Sequence, residues 1–167
     1  MATALITGAS KGIGKATAKA FAKAGWDLLL VARSKDQLQS LSESLSASGS
    51  KVFFECIDLS DSSQISEGIN KLISNGLEPS VLINNAGVAW TGELAAMPLE
   101  KWNWLMQINL TSIFQICSVM VPLMRLKKGL IINVSSHAAR NSFSQWGAYC
   151  VSKSAPVSYT HLRAHET

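Results

Sequence analysis

Two residues four positions apart near the end of the chain, Tyr149 and Lys153, could move a proton together. Side chains at positions i and i+4 of an α-helix lie on the same face, so the phenol and the ammonium would be neighbours. A nearby positive charge favours the phenolate form of a tyrosine. The pair could therefore donate a proton to an alkoxide formed from a carbonyl, or accept one from an alcohol.

A serine at the end of a predicted strand adds a third polar group. Ser136 stands thirteen positions before Tyr149 and closes the apolar stretch "GLIINVSS". Its hydroxyl could hydrogen-bond a substrate oxygen and stabilise developing charge, and Ser135 is the weaker candidate. His137 is interpreted as an exposed loop histidine rather than a base. Each residue alone would more often be structural, so the joint placement carries the hypothesis.

The stretch "TGASKGIG" places Gly8, Gly12 and Gly14 between a short apolar run and a helical pattern. Glycines there allow a tight turn and bring a phosphate close to the N–H groups at a helix N-terminus. Glycines of a turn that binds nothing are the alternative. The strand before the turn and the helix after it favour a dinucleotide site.

The residues after the second predicted strand indicate which dinucleotide would bind. Sites for NAD usually present an acid to the adenosine ribose there, whereas this chain has Ala32 and then Arg33. Arg33 could bind a 2′-phosphate through its planar guanidinium, and Lys11 adds a second positive charge. Ordinary surface charge is the alternative for each. The pattern predicts NADP(H) in preference to NAD(H).

Five apolar runs alternate with helical patterns and must position these residues. The runs are "ALIT", "WDLLLVA", "KVFFECIDL", "SVLINNAG" and "GLIINVSS". Continuous apolar runs are typical of parallel strands buried on both faces, and this alternation predicts an α/β fold with a Rossmann-type doubly wound parallel sheet of about five strands.

Helical spacing predicts which faces are buried. In the first helix the predicted face is Ala16, Ala20, Phe21 and Ala24; in the second it is Leu38, Leu41 and Leu45; in the third it is Ile65, Ile69, Leu72 and Ile73. Ser60 is the predicted N-cap of the third helix. A long helix is predicted over 99–126.

Composition excludes several classes of protein. The chain has 167 residues, 47% of them hydrophobic and 16% charged, which is typical of one globular domain. The net charge of +4 comes from scattered residues, which argues against a nucleic-acid surface. Cys56, Cys117 and Cys150 lack metal-binding spacing and indicate core thiols in a reducing compartment, with no metal site.

The beginning of the chain and its longest apolar stretch predict a cytoplasmic protein without a membrane segment. Residues 1–7 lead directly into a strand pattern without the features of a signal peptide. The stretch "SIFQICSVMVPLM" is shorter than the about 20 residues that a bilayer requires. It is interpreted as a buried or interface helix.

Together "TGASKGIG", "NNAG", "INVSS" and "YCVSK" resemble the short-chain dehydrogenase/reductase family over residues 3–155. The resemblance implies an oxidoreductase that transfers a hydride between NADP(H) and a small-molecule carbonyl or alcohol, and a homo-oligomer. The implied catalytic residues are Asn109, Ser136, Tyr149 and Lys153. The implied cofactor-binding residues are Gly8, Ser10, Lys11, Gly12, Ile13, Gly14, Arg33, Asp58, Leu59, Asn85, Ala86, Gly87, Tyr149 and Lys153.

The resemblance also implies individual roles. Asp58 would hydrogen-bond the adenine and Leu59 would pack on it, although Asp58 could instead cap the third helix. The backbone at Asn109 would support a water that links Lys153 to solvent, with an asparagine that only bends a helix as the alternative. Lys153 would also hold the nicotinamide ribose. Asn84 is expected to tie neighbouring strands together.

Several alternatives remain open at this stage. Within the enzyme class, the substrate could be a 3-oxoacyl thioester, a small ketone or a sugar. Five aromatic residues could line a substrate space or pack between helices and subunits: Trp90, Trp102, Trp104, Phe143 and Trp146. A non-catalytic dinucleotide-binding or sensing module is the alternative from another class of protein.

The last residues depart from the family pattern. Members of the family continue with two further strands, whereas this chain has Pro156 inside the predicted last helix, where a proline costs about 3 kcal/mol. Residues 157–167 resemble a translated sequencing-library adapter. We therefore expect residues 1–155 to be a partial NAD(P)-binding domain and 156–167 a non-native tail. Such a fragment would expose the edge of its fifth strand and be unstable and inactive.

Overall fold

The computed structural model describes residues 2–125 and 127–166, the last eight of them as backbone only. Five parallel strands form one sheet in the order β3-β2-β1-β4-β5. They are β1 Thr3–Thr7, β2 Asp27–Ala32, β3 Val52–Cys56, β4 Val81–Asn84 and β5 Leu130–Asn133. The Rossmann-type parallel sheet predicted from the alternating pattern is confirmed.

Helices connect the strands on both faces of the sheet. They are α1 Gly12–Lys23, α2 Lys35–Ser46, α3 Ser62–Ile73, α4 Leu99–Met106, α5 Ser112–Arg125 and α6 Gly147–Glu166. The strand order reverses between β1 and β4, which are direct neighbours in the sheet. In open α/β sheets this reversal opens a crevice at the carboxyl ends of the strands, where ligands bind.

The core has two layers, one on each side of the sheet. One layer packs the apolar faces of α3 and α5 against the strands and includes Leu5, Leu29, Ile65, Ile69, Ile116 and Met120. The other packs α1 and α2 and includes Ile6, Ala18, Leu28, Leu38, Leu41 and Leu45. The predicted buried leucines of α2 are confirmed, and in α3 Ile65, Ile69 and Leu72 are buried while Ile73 is half-buried.

The predicted face of α1 is wrong. Ala16, Ala20 and Ala24 are exposed and Phe21 is half-buried, whereas the buried residues are Gly14, Ala18 and Ala22. The phase of the helix is set by Gly14, which packs against the backbone of the preceding turn. Alanine occurs on both faces of this helix, so apolar periodicity carried little information.

The predicted N-cap of α3 is also wrong. Asp61, and not Ser60, caps the helix by accepting a hydrogen bond of 2.9 Å from the backbone N–H of Ser63. This bond and bonds from the Ser63 hydroxyl and Gln64 lower the pKa of the Asp61 carboxyl below its usual range. Ser60 instead donates its hydroxyl and N–H to Asp58.

A continuous helical stretch, Leu99–Arg125, joins α4, a π-helical segment over Gln107–Thr111, and α5. It is long and apolar enough to cross a membrane by length and composition alone. In this fold, however, 44% of its most apolar window is buried, and Cys117 and Met120 belong to the core. One face of the stretch is therefore covered by the protein itself.

Strand β5 forms one edge of the described sheet, with Leu130 56% and Ile132 40% exposed. Helix α6 continues through Pro156 rather than ending there. The predicted non-native character of residues 156–167 stays a prediction, and Thr167 lies outside the described residues. Of the cysteines, Cys117 is buried, Cys150 is half-buried and Cys56 is exposed, so the prediction of core thiols is wrong for Cys56.

Candidate active site

The glycine turn after β1 brings three chain segments into close contact. Gly8 has a φ of +66°, a region that favours glycine, and a Cβ there would lie 2.9 Å from Cα of Ala86. A Cβ on Gly14 would lie 2.3 Å from the carbonyl oxygen of Gly8 and 2.6 Å from Nδ2 of Asn85. Only glycine at positions 8 and 14 therefore allows the chain segments to approach this closely.

Thr7 fixes this turn to the end of β4. Its Oγ1 accepts hydrogen bonds of 3.1 Å from the backbone N–H groups of Asn85 and Ala86. In return, Nδ2 of Asn85 donates to the carbonyl oxygen of Thr7 at 3.0 Å. Asn84 makes the strand contact expected of it, because its Nδ2 donates to Oδ1 of Asn133 on β5 at 2.8 Å.

A cavity of about 560 Å³ opens where these segments meet. Nine predicted cofactor residues line it: Gly8, Ser10, Lys11, Arg33, Asp58, Leu59, Asn85, Ala86 and Gly87. Six further residues line it without having been predicted: Ala32, Ser34, Gln37, Ile57, Val88 and Ile108. Gly12, Ile13 and Gly14 lie outside the lining, and Ile13 is 66% exposed.

The end of this cavity beside β2 is positively charged. Arg33 is exposed and follows the buried Ala32, and Lys11 lines the same cavity from the glycine turn. The one acid in the lining is Asp58, whose Oδ1 already accepts bonds of 2.9 Å and 2.8 Å from the N–H and hydroxyl of Ser60. The wall beside Arg33 is therefore suited to an anion.

Lys153 lies close to Gly87. Its Nζ would be 2.9 Å from a Cβ on Gly87, and Oδ1 of Asn109 would be 3.4 Å from the same point. Nζ donates to the carbonyl oxygen of Val134 at 3.1 Å, and the residue is only 6% exposed. Burial lowers the pKa of the Lys153 ammonium below its ordinary value of 10.5.

Asn109 joins three elements through its side chain. Its Oδ1 accepts from the N–H of Val88 at 2.9 Å, and its Nδ2 donates to the Val88 carbonyl at 2.8 Å. The same Nδ2 donates to Oγ of Ser152 at 2.9 Å, and Ser152 donates to the carbonyl oxygen of Tyr149 at 2.8 Å. Asn109 therefore does more than bend a helix, because its side chain fixes the loop after β4 relative to α6.

The two serines after β5 have different environments. Oγ of Ser135 donates to the carbonyl oxygen of Lys153 at 3.2 Å, which ties the end of the strand to α6. Oγ of Ser136 accepts a single bond of 3.2 Å from the N–H of Ala138, the second residue of a short 3₁₀ helix over His137–Ala139. The Ser136 hydroxyl can therefore donate a hydrogen bond to another acceptor. This favours Ser136 over Ser135 as the residue that bonds a substrate oxygen.

Tyr149 is half-buried in the first turn of α6, one turn before Lys153. Its ring meets the ring of Trp146 edge-on, with centroids 5.4 Å apart and an interplanar angle of 66°. Among the described residues, no group of three or more His, Cys, Asp or Glu side chains could hold a metal ion. The polar groups available here are suited to hydrogen bonding and proton transfer.

Sequence reasoning missed Thr7 and Ser152 as positioning residues. Thr7 is the first residue of "TGASKGIG", so its place in the motif was a usable signal. Ser152 is fully buried between Asn109 and Tyr149 and stands inside "YCVSK", but nothing in the sequence reports its partner on another element.

Comparison with known proteins identifies the family. The model of the short chain dehydrogenase family matches residues 2–167. A 3-oxoacyl-(acyl-carrier-protein) reductase of Thermotoga maritima is 33% identical over 163 residues, which cover 97% of this chain and 66% of that protein. The chain belongs to the short-chain dehydrogenase family. It spans about two thirds of the length of such curated relatives.

Solved structures show the same fold. The alcohol dehydrogenase of the archaeon Thermococcus sibiricus, complexed with 5-hydroxy-NADP, superposes with a TM-score of 0.95 at 28% identity, covering 99% of this chain and 71% of that one. A short-chain dehydrogenase/reductase of Burkholderia phymatum in complex with NAD gives a TM-score of 0.93 at 29% identity, covering 99% and 60%.

Proposed function

We propose that the full-length protein is an NADP(H)-dependent reductase of carbonyl compounds, working in reverse as an alcohol dehydrogenase. The observation that carries this proposal is the position of Lys153. Its buried Nζ lies beside Gly87, which lines the cavity, and it stands one turn after Tyr149 on α6. Gly87 thus links the cavity to Lys153, although Lys153 and Tyr149 are not among the residues that line it.

The residues present fit a dinucleotide. Gly8 and Gly14 have no side chains, and Gly8 lies close to Ala86. The backbone N–H groups at the start of α1 are therefore not obstructed by side chains at these positions, as a pyrophosphate requires. Bound NADPH would supply a hydride to the carbonyl carbon of the substrate. The two electrons move with the hydride, so the chain itself must supply one proton to the oxygen.

Tyr149 supplies that proton in this proposal. As the carbonyl is reduced, its phenol donates to the oxygen, and the Lys153 ammonium stabilises the phenolate that remains. Ser136 donates its free hydroxyl proton in a hydrogen bond to the same oxygen, which orients the substrate and stabilises negative charge. In the oxidative direction the phenolate accepts the alcohol proton.

Preference for NADP(H) rests on Arg33 and Lys11. Both line the cavity, and no acid follows β2 where NAD sites usually carry one. The guanidinium of Arg33 can bind a 2′-phosphate with two parallel hydrogen bonds. The Thermococcus sibiricus relative, whose structure holds an NADP derivative, supports this preference, whereas the Burkholderia phymatum structure holds NAD.

The test uses the full-length protein and its Tyr149→Phe variant. NADPH consumption is followed with a panel of aryl ketones, alkyl ketones, sugars and 3-oxoacyl thioesters, and NADPH binding is measured by fluorescence. We expect turnover by the natural sequence on at least one carbonyl, and loss of it in Tyr149→Phe with NADPH affinity retained. Turnover that survives the substitution would refute the role of Tyr149. Tight NADPH binding with no turnover on any carbonyl would instead support a non-catalytic dinucleotide-binding module.

A further inference from the structure

A cluster of large apolar side chains lies next to the phenol of Tyr149. The loop between β5 and α6 carries Phe143 and Trp146, and the loop after β4 carries Leu94. We name these three residues the apolar shelf. They are 53% (Leu94), 45% (Phe143) and 37% (Trp146) exposed, although each is a large hydrophobic residue. Exposed apolar residues on neighbouring loops are a common feature of binding sites.

The shelf is held in place by backbone contacts between the two loops. Gln145 has a φ of +63°, which is strained for a non-glycine residue, and its carbonyl oxygen accepts a hydrogen bond of 2.8 Å from the N–H of Gly92. Two residues later, a Cβ on Gly147 would lie 3.6 Å from the Leu94 side chain. The strained turn therefore fastens the β5 loop onto the β4 loop and fixes the position of Trp146.

Trp146 connects the shelf to the reactive group. Its ring packs edge-on against the ring of Tyr149. Its backbone N–H donates to the carbonyl oxygen of Phe143 at 3.1 Å. Phe143 in turn contacts the ring of His137, with centroids 5.9 Å apart. A molecule whose oxygen reaches the phenol of Tyr149 would thus have aromatic surface beside its carbonyl carbon.

The charges around the shelf are few and of mixed sign. Over 88–97 and 137–147 the chain carries one acid, Glu93, and one permanent cation, Arg140, together with His137. His137 is held by hydrogen bonds with Nδ2 of Asn141. Such a surface offers no cluster of cations for a phosphorylated substrate.

We propose that the substrate is an uncharged ketone or aldehyde with a flat aromatic group next to the carbonyl, and that this group packs on the apolar shelf. The inference rests on the proposed reductase function and narrows its substrate class. Aromatic rings favour edge-to-face and offset arrangements, which Trp146 and Phe143 both offer. Packing on the shelf would direct the carbonyl oxygen towards Tyr149 and favour an aryl ketone over a small aliphatic one.

The experiment compares two ketones of the same reactivity class in the full-length protein. The kcat/KM values for acetophenone and butan-2-one are measured with NADPH for the natural sequence, Trp146→Ala and Trp146→Phe. We expect the natural sequence to favour the aryl ketone. Trp146→Ala should lower kcat/KM for the aryl ketone about 10- to 100-fold and for butan-2-one by only a small factor. Trp146→Phe should keep most of the preference for the aryl ketone, because it retains an aromatic ring at this position.

Trp104→Ala is the matched control, since it removes a half-buried tryptophan from α4 that contacts Lys101 rather than Tyr149. It should leave the ratio of the two kcat/KM values unchanged. Equal values for both ketones, with the ratio unaltered in Trp146→Ala, would overturn the substrate class while the reductase function stands.

A second measurement does not depend on turnover. Binding of 1-phenylethanol in the presence of NADPH, a combination that cannot react, is followed by calorimetry, and Trp146→Ala should weaken it about tenfold. Absent or unaltered binding would overturn the inference. A loss of subunit association in Trp146→Ala, with binding of 1-phenylethanol unaltered, would show that the shelf is covered by a second subunit and would equally overturn it.

Discussion

Asn109 and Ser152 share a hydrogen bond of 2.9 Å, although they lie on different helices and 43 residues apart. Both side chains are buried, and each has a further partner. The Asn109 side chain accepts a bond from the N–H of Val88 and donates one to the Val88 carbonyl. Ser152 donates to the carbonyl of Tyr149. The bond therefore sets where α6 lies relative to the cavity wall, and with it the position of Tyr149 and Lys153.

Replacing Ser152 with alanine should slow the reaction without weakening cofactor binding. The variant leaves Nδ2 of Asn109 with one partner fewer and releases the first turn of α6, so we expect a fall in kcat and a loss of about 1–2 kcal/mol in the free energy of unfolding. Ser118→Ala is the control, because Ser118 makes a similar backbone bond on the exposed side of α5. An unchanged kcat in Ser152→Ala would show that the bond does not position Tyr149.

Gly14→Ala should disrupt the cofactor cavity. The added methyl would lie 2.3 Å from a backbone oxygen, so the turn itself must move, at a cost of about 1–3 kcal/mol in stability. We expect NADPH affinity, measured by fluorescence titration, to fall at least about tenfold, which is 1.4 kcal/mol. Gly76→Ala is the control for stability, because it strains the backbone at a φ of +83° while its methyl would meet nothing within 4 Å. Unaltered affinity in Gly14→Ala would place the phosphates elsewhere.

Arg33→Ala should reduce the preference for NADPH. The substitution removes the bidentate partner of the 2′-phosphate, and charge-assisted bonds of this kind contribute about 1.5–3 kcal/mol each, so kcat/KM for NADPH should fall about 10- to 100-fold while that for NADH hardly changes. Lys35→Ala removes the same charge two residues later, outside the cavity lining, and should leave the ratio of the two values almost intact. Parallel losses with both cofactors would contradict this assignment.

Lys153→Met should abolish turnover without lowering stability. Burial lowers the pKa of Lys153, so the folded state binds the proton more weakly than the unfolded state. Between that lowered pKa and 10.5, the unfolded state binds more protons, and the free energy of unfolding of the natural sequence rises with pH; below the lowered pKa the full penalty of burying the ammonium applies.

Urea unfolding at several pH values up to 10.5 tests this sign. Lys153→Met should lose the rise with pH and be at least as stable as the natural sequence at neutral pH, whereas Lys15→Met, at an exposed position, should change neither property. A Lys153→Met variant that is clearly less stable at neutral pH would mean that the bond to Val134 outweighs the cost of burial.

Local patterns predicted the parts of the fold that depend on a few consecutive residues. The continuous apolar runs identified all five described strands, including β5, where every second residue is exposed in the structure. The leucines of α2 and isoleucines of α3 were equally clear. In α1 the same approach failed, since small residues occur on every face and a contact of Gly14 with the preceding turn decides the orientation.

The site residues likewise divide into those that short sequence motifs predict and those that they miss. Glycines and charges within short motifs were found from sequence, because the turn and the phosphate charge act locally. Thr7 and Ser152 were missed since their roles depend on partners 78 and 43 residues away in the chain. The π-helical segment around Asn109 was predicted as ordinary helix, because no local residue pattern announces an i to i+5 bond.

The number of residues in that π-helical segment affects both the site and the core. The N–H of Ser112 bonds the carbonyl of Gln107, five residues back, so the segment holds one residue more than a regular α-helical turn would. Deleting a single residue there would restore α-helical phase and rotate every side chain of α5 by about 100°. Ile116 would leave the core in the same movement that turns Asn109 away from Val88. The number of residues in 107–111 is therefore as strictly constrained as the identity of Asn109.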